Sequence, residues 1–194
     1  MTGPYPLGYI GLGNLSIGYS GLGDLFVFLY FGVVATITVP YLYLRKHEKI
    51  ELSFLNLVTQ NEIMRTSLLV SLPIGFLGTA IIAVNNLRDR VTDVHAGKRT
   101  MAVRFGEKFT RIEYIVLVLG SYVMLVPISN TKLGKDFLWI LAITFPMVVK
   151  ELKAVGFGGK DGGALNDHVG STARLQAAFC CLLAVAFRFN NTTD

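Results

Sequence analysis

The residues of this 194-residue chain best suited to chemistry stand four apart, directly after an apolar run. They are Asn85, Asp89 and Asp93. On a helix each step of four residues turns the side chain by only about 40°, so all three would project from one face. Carboxylate and amide oxygens are the ligands that Mg²⁺ prefers. The spacing therefore predicts a magnesium-binding face at the end of an apolar helix.

Basic residues surround these acidic side chains. The window 88–111 holds seven Lys or Arg against three Asp or Glu. A negatively charged ligand would explain the mixture, because a metal bridges carboxylate and phosphate oxygens while Lys and Arg neutralise the remaining charge. Two Asn at the end of an apolar helix also favour a site, since polar groups there are costly without a function. From the residues alone, a magnesium–diphosphate site and a solvated charged loop with local ion pairs both stay open.

The composition defines the elements that must position these residues. The chain is 52% hydrophobic and 16% charged, with a mean hydropathy of +0.52. Soluble domains are about 25% charged, so the deficit excludes a disordered chain, a coiled coil and a nucleic-acid-binding arm. Residues 25–44 form a run without a charge, long enough to cross the roughly 30 Å hydrocarbon layer. The protein is therefore predicted to be an integral membrane protein.

The predicted fold class is all-α, a multi-pass transmembrane helical bundle of about five helices. The apolar runs that predict them cover 25–44, 66–84, 112–128, 137–149 and 173–189. We treat 1–194 as a single membrane domain that contains a glycine-rich loop at 1–24 and a polar active-site loop at 85–111. The glycine-rich loop includes a doubled GY-x-GLG block.

The distribution of basic residues predicts the orientation in the membrane. The connections at 88–111 and 150–174 lie on one side and hold eleven Lys or Arg, against six in the connections at 45–65 and 130–136. Cytoplasmic loops are enriched in Lys and Arg, so the active-site loop is expected on the cytoplasmic side, or its equivalent in an organelle. The same rule accounts for the net charge of +5 without a nucleic-acid partner.

A longer string carries a resemblance to a known family. The pattern NNLRDxxTDxxAGKRTxAVRxG, which runs from Asn85 to Gly106, resembles the second aspartate motif of the UbiA superfamily of membrane prenyltransferases. It looks most like the branch that prenylates 1,4-dihydroxy-2-naphthoate in menaquinone and phylloquinone synthesis. The segments 18–35, 138–152 and 164–187 also look like parts of that family's helices.

The resemblance implies a helical bundle around a central cavity that binds a polyprenyl diphosphate and an aromatic acceptor within the lipid bilayer. Asp89 and Asp93 would be the catalytic residues and ligands of the cofactor Mg²⁺, with Asn85 as a further ligand. The diphosphate would contact Arg88, Lys98, Arg99 and Arg104. Departure of the diphosphate would leave an allylic cation-like centre that the acceptor ring attacks, and dihydroxynaphthoate is the favoured acceptor.

The sequence also departs from the family pattern. A first aspartate motif, of the N-x-x-x-D type, belongs to helices that precede the glycine-rich segment, and this chain offers no residues for them. We therefore expect an N-terminal half to come from a full-length chain or from a separate polypeptide, unless the protein is a shortened paralogue. The alternative function is a non-catalytic membrane subunit or prenyl-lipid-binding scaffold. A transporter fragment is less favoured, because no charged residue lies in the middle of a helix.

Overall fold

A computed structural model describes residues 21–47, 53–131 and 138–190 of the chain. Every regular element in these ranges is helical, which confirms the predicted all-α class. In chain order they are α1 (Gly23–His47), α2 (Phe54–Gln60), α3 (Glu62–His95), α4 (Met101–Val123), α5 (Leu125–Ser129), a 3₁₀ segment (Leu138–Thr144), α6 (Phe145–Glu151), a π-helical turn (Leu152–Gly156), a second 3₁₀ segment (Gly162–Leu165) and α7 (Asn166–Asn190).

Four stretches of the described chain are long and apolar enough to cross a membrane. They are Gly23–His47, Glu62–His95, Met101–Ser129 and Gly162–Phe189. Each contains one of the predicted runs, which supports a multi-pass integral membrane protein. The remaining prediction, 137–149, falls on helical residues from Leu138 onwards but is not one of these four spans. Charged residues follow it at Lys150, Glu151 and Lys153, so its apolar part is short.

The prediction of a polar loop at 85–111 is wrong. Helix α3 continues to His95, and α4 begins at Met101. Neither Gly nor Pro stands between 85 and 95, so polarity alone does not interrupt the backbone hydrogen bonds. The helix ends where Gly97 adopts a φ of 70°, a left-handed conformation typical of helix C-termini. The connection is therefore the short segment 96–100, and the predicted site residues lie mostly on helices.

The predicted glycine-rich loop at 1–24 lies largely outside the described residues, and helix α1 already begins at Gly23. Helix α4 contains one interruption. Gly106 has φ 83° and ψ 178°, a backbone conformation that a residue with a side chain would adopt only with strain. The polar first turns of α4 therefore run in a different direction from its apolar remainder.

Helix α3 forms the centre of the bundle. It contacts α1, α2, α4 and α7, and one face of it is fully buried, including Leu77, Ala80, Val84 and Leu87. Helix α4 joins α7 through a buried hydrogen bond of 2.9 Å between the hydroxyls of Tyr114 and Thr172. Buried hydroxyls in membrane bundles are stabilised by such partners. This packing fixes the polar end of α3 against the other helices.

A buried arginine links the 155–160 segment to α4 through hydrogen bonds. The guanidinium of Arg111 donates to the carbonyls of Val155 (2.5 Å), Gly158 (2.6 Å) and Lys160, while its Nε donates to Glu107 (2.8 Å). Val155 lies near the end of the π-helical turn, and Gly158 and Lys160 lie beyond it, so these carbonyls have no later helical N–H groups as partners. The planar guanidinium is suited to this task because its donors point in several fixed directions.

We predict that Arg111→Lys lowers the free energy of unfolding by about 2 kcal/mol, because one ammonium cannot reach three carbonyls and the carboxylate together. The measurement is thermal unfolding in detergent. Arg65→Lys is the matched control, since the Arg65–Glu62 ion pair lies on the surface and should change stability by less than about 0.5 kcal/mol. Equal melting temperatures for the two variants would contradict this role of Arg111.

A second buried polar cluster ties α6 to α7 at the same end. His168 Nδ1 lies 2.7 Å from Glu151 Oε2, and Lys160 Nζ lies 2.9 Å from His168 Nε2. An ammonium only donates and a carboxylate only accepts. The geometry therefore fits a neutral imidazole that carries its proton on Nδ1.

Candidate functional site

The side chains predicted to bind magnesium lie together at the polar end of α3, where the first two of them share a local cluster with Arg88. Arg88 donates to both oxygens of Asp89, from Nε to Oδ1 and from Nη2 to Oδ2, each over 2.7 Å. Arg88 Nη2 also donates to Asn85 Oδ1 at 2.9 Å, and Asn85 Nδ2 lies 3.5 Å from Asp89 Oδ2. The face therefore presents oxygen ligands that are held by a neighbouring cation.

Asp93 stands one helical turn further on and has a different partner. Asp93 is only 4% exposed, and its Oδ1 lies 2.9 Å from Lys98 Nζ. The backbone N–H of Lys98 donates to the carbonyl of Asp93 at 2.9 Å, where the chain reverses through Gly97. The turn that ends α3 thus brings Lys98 back onto the predicted site. Local ion pairs, one of the two possibilities left open by the sequence, are therefore present at both aspartates.

The remaining predicted diphosphate contacts lie in the connection after α3 and in the first turn of α4. Arg99 and Arg104 are both exposed, and both adjoin Gly21. A Cβ atom placed on Gly21 would lie 2.6 Å from the carbonyl oxygen of Arg99 and 3.0 Å from Arg104 Nε. Gly21, two residues before α1, therefore lies close to the side chain of Arg104, and the end of the glycine-rich segment meets the start of α4.

The sequence did not predict Asp24 as a site residue. This carboxylate, in the first turn of α1, is only 6% exposed, and it accepts hydrogen bonds from Asn86 Nδ2 at 3.3 and 3.4 Å. The contact joins residues 62 positions apart, so no local spacing reveals it. The available signal was a carboxylate directly ahead of the uncharged apolar run 25–44, where a charge is expensive unless it has a function.

Two cavities meet at Asp24. A small polar cavity of about 200 Å³ is lined by Gly21, Asp24, Asn85, Asn86 and Thr100, among others. A larger apolar cavity of about 400 Å³ is lined by Asp24, Leu25, Phe28, Phe76, Glu113 and Leu117, among others. Asn85 belongs to the predicted metal face, so the polar cavity connects that face with the apolar chamber.

The oxygen atoms of this cluster suit a Mg²⁺ ion that is also bound by phosphate oxygens. The described residues contain no group of three or more His, Cys, Asp or Glu side chains arranged to hold a metal ion alone. Mg²⁺ usually takes one or two carboxylates and completes its shell with water and substrate phosphate oxygens. Asp89, Asp93 and the Asn85 amide supply such a partial set, with cations close by. This is a helical membrane protein whose polar end suits a metal-bound phosphate ester.

Comparison with known proteins identifies the family. Residues 4–154 match the model of the UbiA prenyltransferase family, and the chain belongs to that family. The resemblance of the Asn85–Gly106 string is thereby confirmed.

Curated relatives point to one branch of the family. The chain is 31% identical over 154 residues to the 1,4-dihydroxy-2-naphthoate octaprenyltransferase of Escherichia coli (strain K12), a match covering 79% of this chain and 42% of the relative. The proteins of the same name from Mycobacterium leprae and Haemophilus influenzae are 26% and 29% identical, with 79% and 77% of this chain and 42% and 40% of the relatives covered. The chain therefore spans about two fifths of these relatives. No solved structure matches it.

Proposed function

We propose that the protein transfers a polyprenyl group from polyprenyl diphosphate to an aromatic acceptor, 1,4-dihydroxy-2-naphthoate, in a Mg²⁺-dependent step of menaquinone or phylloquinone biosynthesis. The observation that carries the proposal is the polar end of α3, where Asp89, Asp93 and Asn85 lie beside basic residues and next to an apolar cavity. The printed names of the relatives support the reaction and the acceptor.

Asp89, Asp93 and Asn85 would hold Mg²⁺. The bound ion supplies positive charge to the departing diphosphate. The chain's own cations, Lys98, Arg99, Arg104 and Arg88, would bind the remaining phosphate oxygens, because guanidinium and ammonium groups form strong charge-assisted hydrogen bonds with phosphate. Binding requires Arg88 and Lys98 to turn from the aspartates to the phosphate. The Arg88–Asp89 pair is partly exposed, so opening it costs little. Asp93 is almost fully buried, so Lys98 would leave it only when a bound Mg²⁺ compensates the charge of the carboxylate in its place.

The apolar cavity would protect the reacting carbon from water. The bond between the prenyl C1 and the diphosphate oxygen breaks, and its electron pair leaves with the diphosphate. A carbon of the electron-rich acceptor ring forms the new bond to C1, and in the naphthoate branch that carbon loses its carboxyl group as carbon dioxide. Most of the cavity wall is apolar, including Phe28, Phe76 and Leu117, so little water would reach the prenyl C1.

We further propose that the site faces the cytoplasm or its equivalent, on the strength of the eleven basic residues on that side. Because the chain spans about two fifths of its relatives, we also propose that full activity needs a complementary segment, from the same gene product or a second polypeptide. Both the product of the whole source gene and the 194-residue chain therefore belong in the assay.

We expect the whole gene product, reconstituted in proteoliposomes, to convert 1,4-dihydroxy-2-naphthoate and a polyprenyl diphosphate into a prenylated 1,4-dihydroxynaphthalene with release of diphosphate and carbon dioxide. Chelation of Mg²⁺ by EDTA should abolish the conversion, and added Mg²⁺ should restore it, since the partial ligand set needs the metal to bind diphosphate. The readout is product formation by chromatography. No turnover with Mg²⁺ present, in a preparation that remains folded, would favour the non-catalytic subunit or prenyl-lipid-binding scaffold.

A further inference from the structure

The apolar cavity contains two carboxylates that the metal face does not use. Asp24 reaches it from the first turn of α1, and Glu113 reaches it from α4. Asp24 is almost fully buried. Glu113 Oε2 is also buried, and it has no hydrogen-bond partner among the described residues. A buried carboxylate oxygen without a donor is costly, so this cavity contains an unsatisfied acceptor.

The rest of the wall suits a flat aromatic ligand. Phe28 and Phe76 stack with ring centroids 5.4 Å apart and an interplanar angle of 27°, and Leu25 and Leu117 complete an apolar lining. A volume of about 400 Å³ lies within the range of small-molecule sites. An apolar chamber with a few hydrogen-bond acceptors suits a flat ring that carries hydroxyl donors.

We propose that Asp24 and Glu113 bind the aromatic acceptor by accepting hydrogen bonds from two different ring hydroxyls. This inference rests on the proposed function, and it adds the residues that select a dihydroxy over a monohydroxy acceptor. Asp24 also lines the polar cavity beside Asn85, so it takes the hydroxyl next to the reacting carbon. Glu113 takes the hydroxyl on the far side of the ring.

The test measures equilibrium binding to the 194-residue chain and to the whole gene product in nanodiscs, without prenyl diphosphate, so that no turnover occurs. The two ligands are 1,4-dihydroxy-2-naphthoate and 1-hydroxy-2-naphthoate, which lacks the hydroxyl assigned to Glu113. We expect the dihydroxy compound to bind about tenfold more tightly, which is typical of a hydrogen bond to a charged group. Glu113→Gln should abolish this preference and leave binding of the monohydroxy compound unchanged.

Asp24→Asn should weaken both ligands by about tenfold, because both carry the hydroxyl assigned to Asp24. The matched control is Thr79→Val in the same cavity. The Thr79 hydroxyl donates to Gly75 O of its own helix at 2.9 Å, so this change should leave both affinities unaltered. If Asp24→Asn does not fold, since Asp24 also contacts Asn86, the Glu113→Gln comparison still decides the proposal.

Three results would overturn the inference: equal weakening of both ligands by Glu113→Gln, no effect of that variant on either ligand, or an Asp24→Asn variant that changes only the Mg²⁺ requirement for turnover. Failure of the proposed function gives a different result from failure of this inference. A wild-type protein that prefers the dihydroxy ligand but transfers no prenyl group would disprove the transferase and retain the binding site. Prenyl transfer by the wild-type protein, together with no effect of Glu113→Gln on binding of either ligand, would support the transferase and disprove the binding site.

Discussion

Asp89→Asn and Asp93→Asn are each expected to lower prenyl transfer at least about 100-fold, a loss typical of removing one preorganised charge-stabilising group from a catalytic site. Each substitution keeps the size of the side chain and removes one of the two negative charges that would hold Mg²⁺. The measurement is the initial rate of transfer to 1,4-dihydroxy-2-naphthoate over a range of Mg²⁺ concentrations. The Mg²⁺ concentration for half-maximal rate should rise in both variants.

Loss of stability would not explain such a result for Asp89→Asn. The Asp89–Arg88 pair is partly exposed, and pairs of this kind contribute about 0–1 kcal/mol. Asp161→Asn is the matched control, because Asp161 lies at the same end of the bundle, 3.5 Å from Arg90, and is also an ion-paired aspartate. It should keep the wild-type rate within about twofold. If Asp89→Asn and Asp93→Asn left assembly and phenotype intact, the protein would be a non-catalytic subunit.

The side-chain cluster at the predicted metal face was predictable because its contacts are local. Asn85, Arg88 and Asp89 lie within two turns of one helix, so their spacing alone brings their side chains together. The ends of the helices were less predictable, since a charged segment after an apolar run was interpreted as a loop. Helix α3 remains helical through these charges because the backbone hydrogen bonds do not depend on side-chain polarity, and it ends only at Gly97.

The proposed acceptor site depends on contacts between distant parts of the chain. Asp24 meets Asn86, and both Phe28 and Phe76 line the same cavity, only because α1 packs against α3. Periodicity predicts each helix and its apolar character, but the same pattern is compatible with many neighbours in a membrane. Helix association there depends on small residues and close backbone contact rather than on hydrophobicity. Gly32 on α1 and Gly75 on α3 make such a close backbone contact where the two helices cross.

Gly32→Ala is expected to destabilise the protein more than any other single added methyl group on α1. A Cβ atom on Gly32 would lie 2.4 Å from Gly75 Cα and 3.0 Å from Gly75 N. These are backbone atoms of α3, so no side-chain rotation relieves the overlap and the two helices must separate. Overpacking of this kind costs about 1–3 kcal/mol. Thermal unfolding in detergent, followed by the folded fraction on size-exclusion chromatography, measures the loss.

The same separation should weaken acceptor binding, because α1 carries Asp24 and Phe28 into the cavities. Gly23→Ala is the control for stability: it adds the same methyl group to the same helix, where a Cβ atom meets nothing within 4 Å. A Gly32→Ala variant as stable as Gly23→Ala would mean that α1 does not cross α3 at Gly75. Lower stability of Gly32→Ala together with weaker binding of 1,4-dihydroxy-2-naphthoate would show that this glycine contact sets the geometry of the acceptor cavity.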